Sequence, residues 1–193
     1  MVRIANRSKR GFTLIELMAV VVIVGILATL ATYGLRKYIF STKTAEAIHM
    51  IGSIKSAEES YRSETFKYAG VTNVNAIQPG SVGNFYPHGA LPGPYKADWN
   101  NSGHGDYATV WGPLGVQSDS PVIFEYVIVA GDATGTLPVP TDFPTLSWGD
   151  RGSAPGGPWY VVAARADQNG DGTMSCFVSC NFTGEIFRYQ EDE

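Results

Sequence analysis

Charge, cysteine and histidine are all scarce in this chain. Only 17% of its 193 residues are charged, and it holds two cysteines and three histidines. So few thiols exclude a small scaffold held together by disulfides. His49, His88 and His104 are scattered along the sequence. No nucleophile elbow, phosphate loop or His-Glu-x-x-His pattern accompanies them, and no catalytic constellation is expected. The formal net charge of -4 argues against nucleic-acid binding by bulk positive charge. Proline is absent from Phe12 to Phe66, although the chain has 11 in all. With 44% apolar and 12% aromatic residues the chain is too hydrophobic for a disordered protein. Its glycines lack the strict period of a collagen. One domain with a real core fits this length.

The charge that is present is unevenly placed. Residues 1–11 carry Arg3, Arg7, Lys9 and Arg10 and no acid, so the remainder is distinctly acidic. Directly after this basic tag, Phe12 to Leu35 reads FTLIELMAVVVIVGILATLATYGL, with Glu16 as its one charge. A helix of that length is ~36 Å long, enough for the ~30 Å hydrocarbon layer of a bilayer. The positive-inside rule then keeps residues 1–11 in the cytoplasm and places everything after Lys37 outside it. A secretory signal peptide fits poorly, because the apolar run is too long and no small-residue cleavage site closes it. A plain membrane anchor fits the hydropathy but not Glu16. A lone carboxylate inside an apolar span costs about 3 kcal/mol on insertion scales. The span holds no Lys, Arg or His. The partner of Glu16 must come from another chain, or from a new amine made by cleavage just upstream.

The run Lys9-Arg10-Gly11-Phe12-Thr13-Leu14-Ile15-Glu16-Leu17-Met18 resembles the processing motif of type IV pilins and of the pseudopilins of type II secretion. The resemblance covers residues 9–35 closely. It implies cleavage between Gly11 and Phe12 by a prepilin peptidase, and N-methylation of the new Phe12 amine. It also implies that Glu16 recognises the Phe12 amine of a neighbouring subunit during assembly. One position departs from the family pattern. Where pilins commonly carry proline after the glycine matching Gly25, this chain has Tyr33 followed by Gly34.

Beyond the span, Ile48, Ile51, Ile54, Ala57 and Tyr61 recur at three- and four-residue steps. That is the apolar stripe of an amphipathic helix. Glu58 and Arg62 stand at i, i+4 in the favourable order for an ion pair. A single helix from Phe12 to about Glu64 is expected. Residues 67–120 are dense in Gly, Pro, Asn and Ser and read as a long irregular connection. Its aromatics, Phe85, Tyr86, Tyr95, Trp99, Tyr107 and Trp111, are expected to pin it to the head or to a neighbouring subunit. Strand patterns follow at 122–130, 158–166, 173–180 and 185–190. The expected fold class is therefore α+β and pilin-like: a long N-terminal helix whose second half packs on an antiparallel sheet of about four strands. The chain divides into a leader (1–11), a transmembrane and filament-core helix (12–35), its amphipathic continuation (36–66) and a globular head (67–193). Within the head, a β-meander (121–193) follows the irregular loop (67–120).

Two features of the head bear on chemistry. Asp167-Gln168-Asn169-Gly170-Asp171-Gly172 matches the opening of a calcium loop, with Asp167, Asn169, Asp171 and the Thr173 carbonyl as candidate ligands. Ser175 stands where a water-mediated ligand often sits, and Glu185 or the terminal Glu191-Asp192-Glu193 are candidates to complete the set. The twelfth position is Val178 in place of the bidentate Glu of an EF-hand, and a tight polar turn between strands explains the same residues without metal. Calcium is the only cofactor the sequence suggests. The family resemblance also favours a disulfide between Cys176 and Cys180. Along a strand, however, four residues separate Cα atoms by ~13 Å, so they pair only if the chain curls there.

The expected function is structural. The chain reads as a type IV pilus subunit, inserted in the inner membrane as a prepilin with its head outside. It would be cleaved after Gly11 and assembled into an extracellular helical filament for adhesion, twitching motility or DNA uptake. Its partners would be other copies of itself, the peptidase, the membrane and an inner-membrane assembly platform. The alternative is a type II secretion pseudopilin, or a minor pilin that primes the filament. A membrane-anchored calcium-dependent binder that never polymerises is a third reading.

Overall fold

A computed structural model describes residues 11–70, 85–87, 93–100, 107–133, 136–140, 143, 145–149 and 156–191. Lys9, Arg10, His88, His104, Asp192 and Glu193 lie outside the described residues. The helix α1 spans Leu14–Thr65 without interruption, as the absence of proline predicts. It ends where Phe66 takes φ 61° and its N–H donates to the Arg62 carbonyl at 2.8 Å. This left-handed cap is usually a glycine, and a side chain here costs about 1–2 kcal/mol. The chain forms two compact units, Met1–Ile39 and Phe40–Glu193, and α1 contributes to both.

In the second unit, α1 buries Thr44, Ala47, Met50, Ile51, Ile54 and Glu58. Ile51 and Ile54 are sealed completely, while Ile48, Ala57 and Tyr61 pack at the margin of the same core. The buried stripe is thus centred one position away from the one the apolar residues suggest. It takes in Glu58, whose carboxylate accepts the Ala69 N–H at 2.9 Å. Arg62 donates instead to the Tyr68 hydroxyl at 2.7 Å. The expected Glu58–Arg62 surface pair does not form, because the helix turns Glu58 into the core.

Four strands, β1 (Glu125–Gly131), β2 (Trp159–Ala166), β3 (Ser175–Cys180) and β4 (Phe187–Tyr189), form one antiparallel meander in the order β1-β2-β3-β4. All four fall where the β-branched and aromatic runs predict. Alternation sends Phe124, Tyr126, Ile128, Tyr160, Val162, Ala164 and Phe177 into the core shared with α1. The opposite set, with Val127, Val129, Val161, Ala163, Cys176 and Val178, packs beneath Phe85, Leu137, Phe143 and Leu146. Loop residues therefore cover the second face, which is why every residue of β2 is buried.

The irregular connection is pinned by its rings. Tyr86 exchanges two backbone hydrogen bonds with Tyr126, and Ala97 pairs likewise with Val122. Tyr86, Trp99 and Trp111 pack against one another with centroids 5.0–5.3 Å apart. The Trp99 indole N–H donates to the Val116 carbonyl at 2.7 Å. A helical turn at Tyr107–Trp111 runs into the short α2 (Gly112–Leu114). Of the six aromatics singled out from the sequence, Tyr95 alone stays fully outside, at 77% exposure.

Candidate functional site

The first turn of α1 is built by Thr13 and Glu16. The Thr13 N–H and hydroxyl both donate to Glu16 Oε2 at 2.8 Å, and the Glu16 N–H donates back to Thr13 Oγ1 at 3.3 Å. This is a reciprocal capping box, which satisfies donors that a helix start leaves orphaned. The Thr-x-x-Glu spacing carries that signal in the sequence, where Glu16 read only as an intermolecular group. Directly after it, every large apolar side chain from Phe12 to Leu35 is between 52% and 83% exposed. Among the described residues this is the one helix long and apolar enough to cross a membrane, with a window of mean hydropathy 2.7. Gly11 lies just outside it. A Cβ there would meet no described atom within 4 Å. Among the described residues, packing leaves room for a side chain at position 11.

Asp167, Asn169, Asp171 and Thr173 lie together in the β2–β3 turn. The side-chain oxygens of Asp167, Asn169 and Asp171 accept from the loop's own backbone. Asp167 accepts the N–H groups of Gly170 at 2.6 Å and Gly172 at 2.9 Å. Asn169 Oδ1 accepts from Asp171 N–H at 2.9 Å, and Asp171 Oδ1 from Thr173 N–H at 2.7 Å. The Asn169 amide donates to Asp171 Oδ2. Gly170 and Gly172 supply the positive φ angles, 82° and 90°, that such a turn needs. Among the described residues no three His, Cys, Asp or Glu side chains converge as a metal set. The loop is a ladder of side-chain-capped turns.

The Cys176–Cys180 pairing that the family resemblance favours does not form. Both residues sit in β3 on one face, opposite Arg165 and Val161 of β2. The strand runs straight through Cys180, so the Cα atoms are ~13 Å apart, beyond the reach of a disulfide. Both thiols should be alkylated by iodoacetamide after unfolding without prior reduction, giving two adducts by mass. A requirement for dithiothreitol would contradict this.

The polar residues flanking the apolar stripe of α1 do more than solvate it. Lys55 Nζ donates to Ser179 Oγ at 2.9 Å, to the Cys180 carbonyl at 3.0 Å and to the Thr183 carbonyl at 2.6 Å. Partial burial holds its pKa below the usual lysine value. Lys43 Nζ donates to the Gln168 carbonyl at 2.7 Å, and Glu46 accepts the Ile123 N–H at 2.8 Å. Three loops are thereby fixed to one helix. Lys55→Met should keep the stem but orphan three acceptors, costing about 1–3 kcal/mol, measured by urea unfolding of the full chain in detergent. An unchanged midpoint would show the contacts to be incidental. On the other face of the sheet, Glu125 and Arg165 form a buried ion pair between register partners of β1 and β2. The Arg165 guanidinium also stacks 3.8 Å from the Phe85 ring centroid.

A family model described as the prokaryotic N-terminal methylation motif matches residues 6–32. The chain is 40% identical over 81 residues to the type IV major pilin protein PilA of Myxococcus xanthus, covering 42% of this chain and 36% of that protein. It is 45% identical over 56 residues to the type IV major pilin protein PilE1 of Neisseria gonorrhoeae, covering 29% and 34% of the two chains. With the type II secretion system core protein G of Pseudomonas aeruginosa it shares 32% identity over 100 residues, 51% of this chain and 64% of that one. No solved structure matches the chain. The class is thus that of proteins with an N-terminal methylation motif leading into a long apolar helix. Within that class, the N-terminal segment is similar to those of type IV major pilins and of a type II secretion core protein. The chain spans between about a third and just under two thirds of the length of these three relatives.

Proposed function

We propose that the chain is the structural subunit of an extracellular helical filament, made from a membrane-inserted precursor. One observation carries this reading: the exposed apolar segment of α1 begins with a single carboxylate, Glu16, shortly after a glycine with open space around it. Cleavage between Gly11 and Phe12 removes four positive charges and creates one new amine at the helix start. N-methylation of Phe12 leaves that amine protonated and more apolar. Glu16 of one subunit then pairs with the Phe12 amine of another, which offsets the cost of a carboxylate in an apolar setting. The apolar segments 12–35 bundle into a filament core, and the heads form its surface. Before assembly the same segment spans the inner membrane with the head outside the cytoplasm. A head-to-tail contact of this kind does not close, so it propagates as a helix.

A pseudopilin role is the second reading, favoured by the match to the secretion core protein, which covers more of both chains than the two pilin matches do. Shearing intact cells separates the two. A filament subunit should dominate the sheared extracellular fraction, whereas a pseudopilin should remain with the inner membrane. Absence of processed chain from both fractions would contradict either role.

A further inference from the structure

Glu58 is the one fully buried carboxyl of α1, and it faces the start of the connection that leaves the helix. Its Oε2 accepts the Ala69 N–H at 2.9 Å, and its Oε1 has no hydrogen-bond partner. Among the described residues no cation reaches it. Lys55 donates to the three oxygens of β3 and the β3–β4 turn, and Arg62 to the Tyr68 hydroxyl. The other titratable groups at this corner are Glu59 on α1, Tyr68 on the connection, Tyr160 on β2 and Cys180 on β3. Of these, Glu59 adds negative charge, and its carboxylate accepts from the Tyr68 hydroxyl at 3.1 Å. Tyr68 and Ala69 are buried, and Gly70 packs so closely on β1 that an added Cβ would lie 2.7 Å from the Ala130 nitrogen. Residues 68–70 are therefore seated on the sheet, with Glu58 as the polar stitch beneath them.

We propose that Glu58 is a proton-dependent latch, which holds residues 68–70 against the sheet when its carboxyl is neutral and releases them locally as it ionises. The physical reason is desolvation. A buried carboxylate with one N–H donor and no cation is costly, whereas the neutral acid keeps the Ala69 contact. Burial, with Glu59 beside it, pushes the Glu58 pKa up to about 8.

The direction with pH follows from proton counting. The closed form holds its proton up to about pH 8, whereas in the open form the carboxyl ionises near its ordinary value of 4.5. Between those values the closed form binds more protons, so rising pH favours opening. Above about pH 8 both forms are ionised and the effect levels off.

Hydrogen–deuterium exchange on the full chain in detergent tests this, with Ala69 protection corrected for the intrinsic rate at each pH. Protection should fall by up to about tenfold per pH unit from pH 5 to 8 and then flatten. In Glu58→Gln it should be flat over the whole range. In Glu59→Gln, which leaves Glu58 in place, the plateau should begin at lower pH. That variant keeps the test decisive if Glu58→Gln does not fold. A flat profile in the unaltered chain would overturn the latch, as would an unmoved plateau in Glu59→Gln. Ala69 protection equal to that of the β2 amides at every pH would also overturn it, since exchange would then report global unfolding.

Discussion

Glu16→Ala should abolish filament assembly while leaving membrane insertion intact. At a separation of ~4 Å and an effective dielectric near 20, a carboxylate and an ammonium attract by about 4 kcal/mol. That is roughly a thousandfold in the association of each added subunit. A helical filament repeats the loss at every contact, so filaments should fall below detection. Insertion should improve, because alanine removes about 3 kcal/mol of unfavourable transfer. The capping box complicates this substitution, since Glu16 also accepts two hydrogen bonds from Thr13. Thr13→Ala separates the two roles: it breaks the box at a cost of about 1 kcal/mol but keeps the carboxylate. Electron microscopy of sheared material should find filaments in Thr13→Ala and none in Glu16→Ala or Glu16→Gln. Filaments from Glu16→Gln would show that shape, and not charge, is what assembly reads.

In the head, Gly131→Ala should be among the most damaging of small substitutions. Gly131 ends β1 directly opposite Trp159, and an added Cβ would lie 2.4 Å from Cζ2 and 2.6 Å from Cε2 of the indole. Trp159 is buried, so the ring has nowhere to retreat without disturbing Val161 and the loop residues around it. Overpacking of this kind costs typically 1–3 kcal/mol, a large part of a domain stability of about 5–15 kcal/mol. Gly52→Ala is the opposing control. It lies within α1 with nothing within 4 Å of its Cβ position, and should stabilise by about 0.5–1 kcal/mol. Thermal unfolding followed by near-ultraviolet circular dichroism reads both. If Gly131→Ala unfolds with an unchanged midpoint, the close approach of Trp159 is not a constraint on the fold.

What was legible in the sequence was whatever one helix face or one strand carries locally. The 52-residue helix follows from unbroken helical pattern and missing proline, and the four strands from their β-branched and aromatic runs. The segment proposed for assembly is just as local: Gly11, Phe12 and Glu16 lie within six residues of one another. What was hidden depends on contacts between distant segments. Nothing local says that Lys55 meets residues 179–183, or that Glu58 turns inward to Ala69, because both depend on where the sheet docks. The covering of the second sheet face was equally hidden, since Leu137, Phe143 and Leu146 sit in segments rich in proline and glycine that read only as loop. The residue pattern of a metal loop is also that of a turn whose oxygens are taken up by its own N–H groups.

The most direct measurement is the intact mass and N-terminal peptide of the chain purified from its source cells. Processing as proposed gives a chain that begins at Phe12, heavier by one methyl group on its amine, with residues 1–11 removed. A chain that retains Lys9, Arg10 and Gly11 would contradict the central claim: Glu16 would then have no Phe12 amine to meet, and the apolar helix would be a plain membrane anchor.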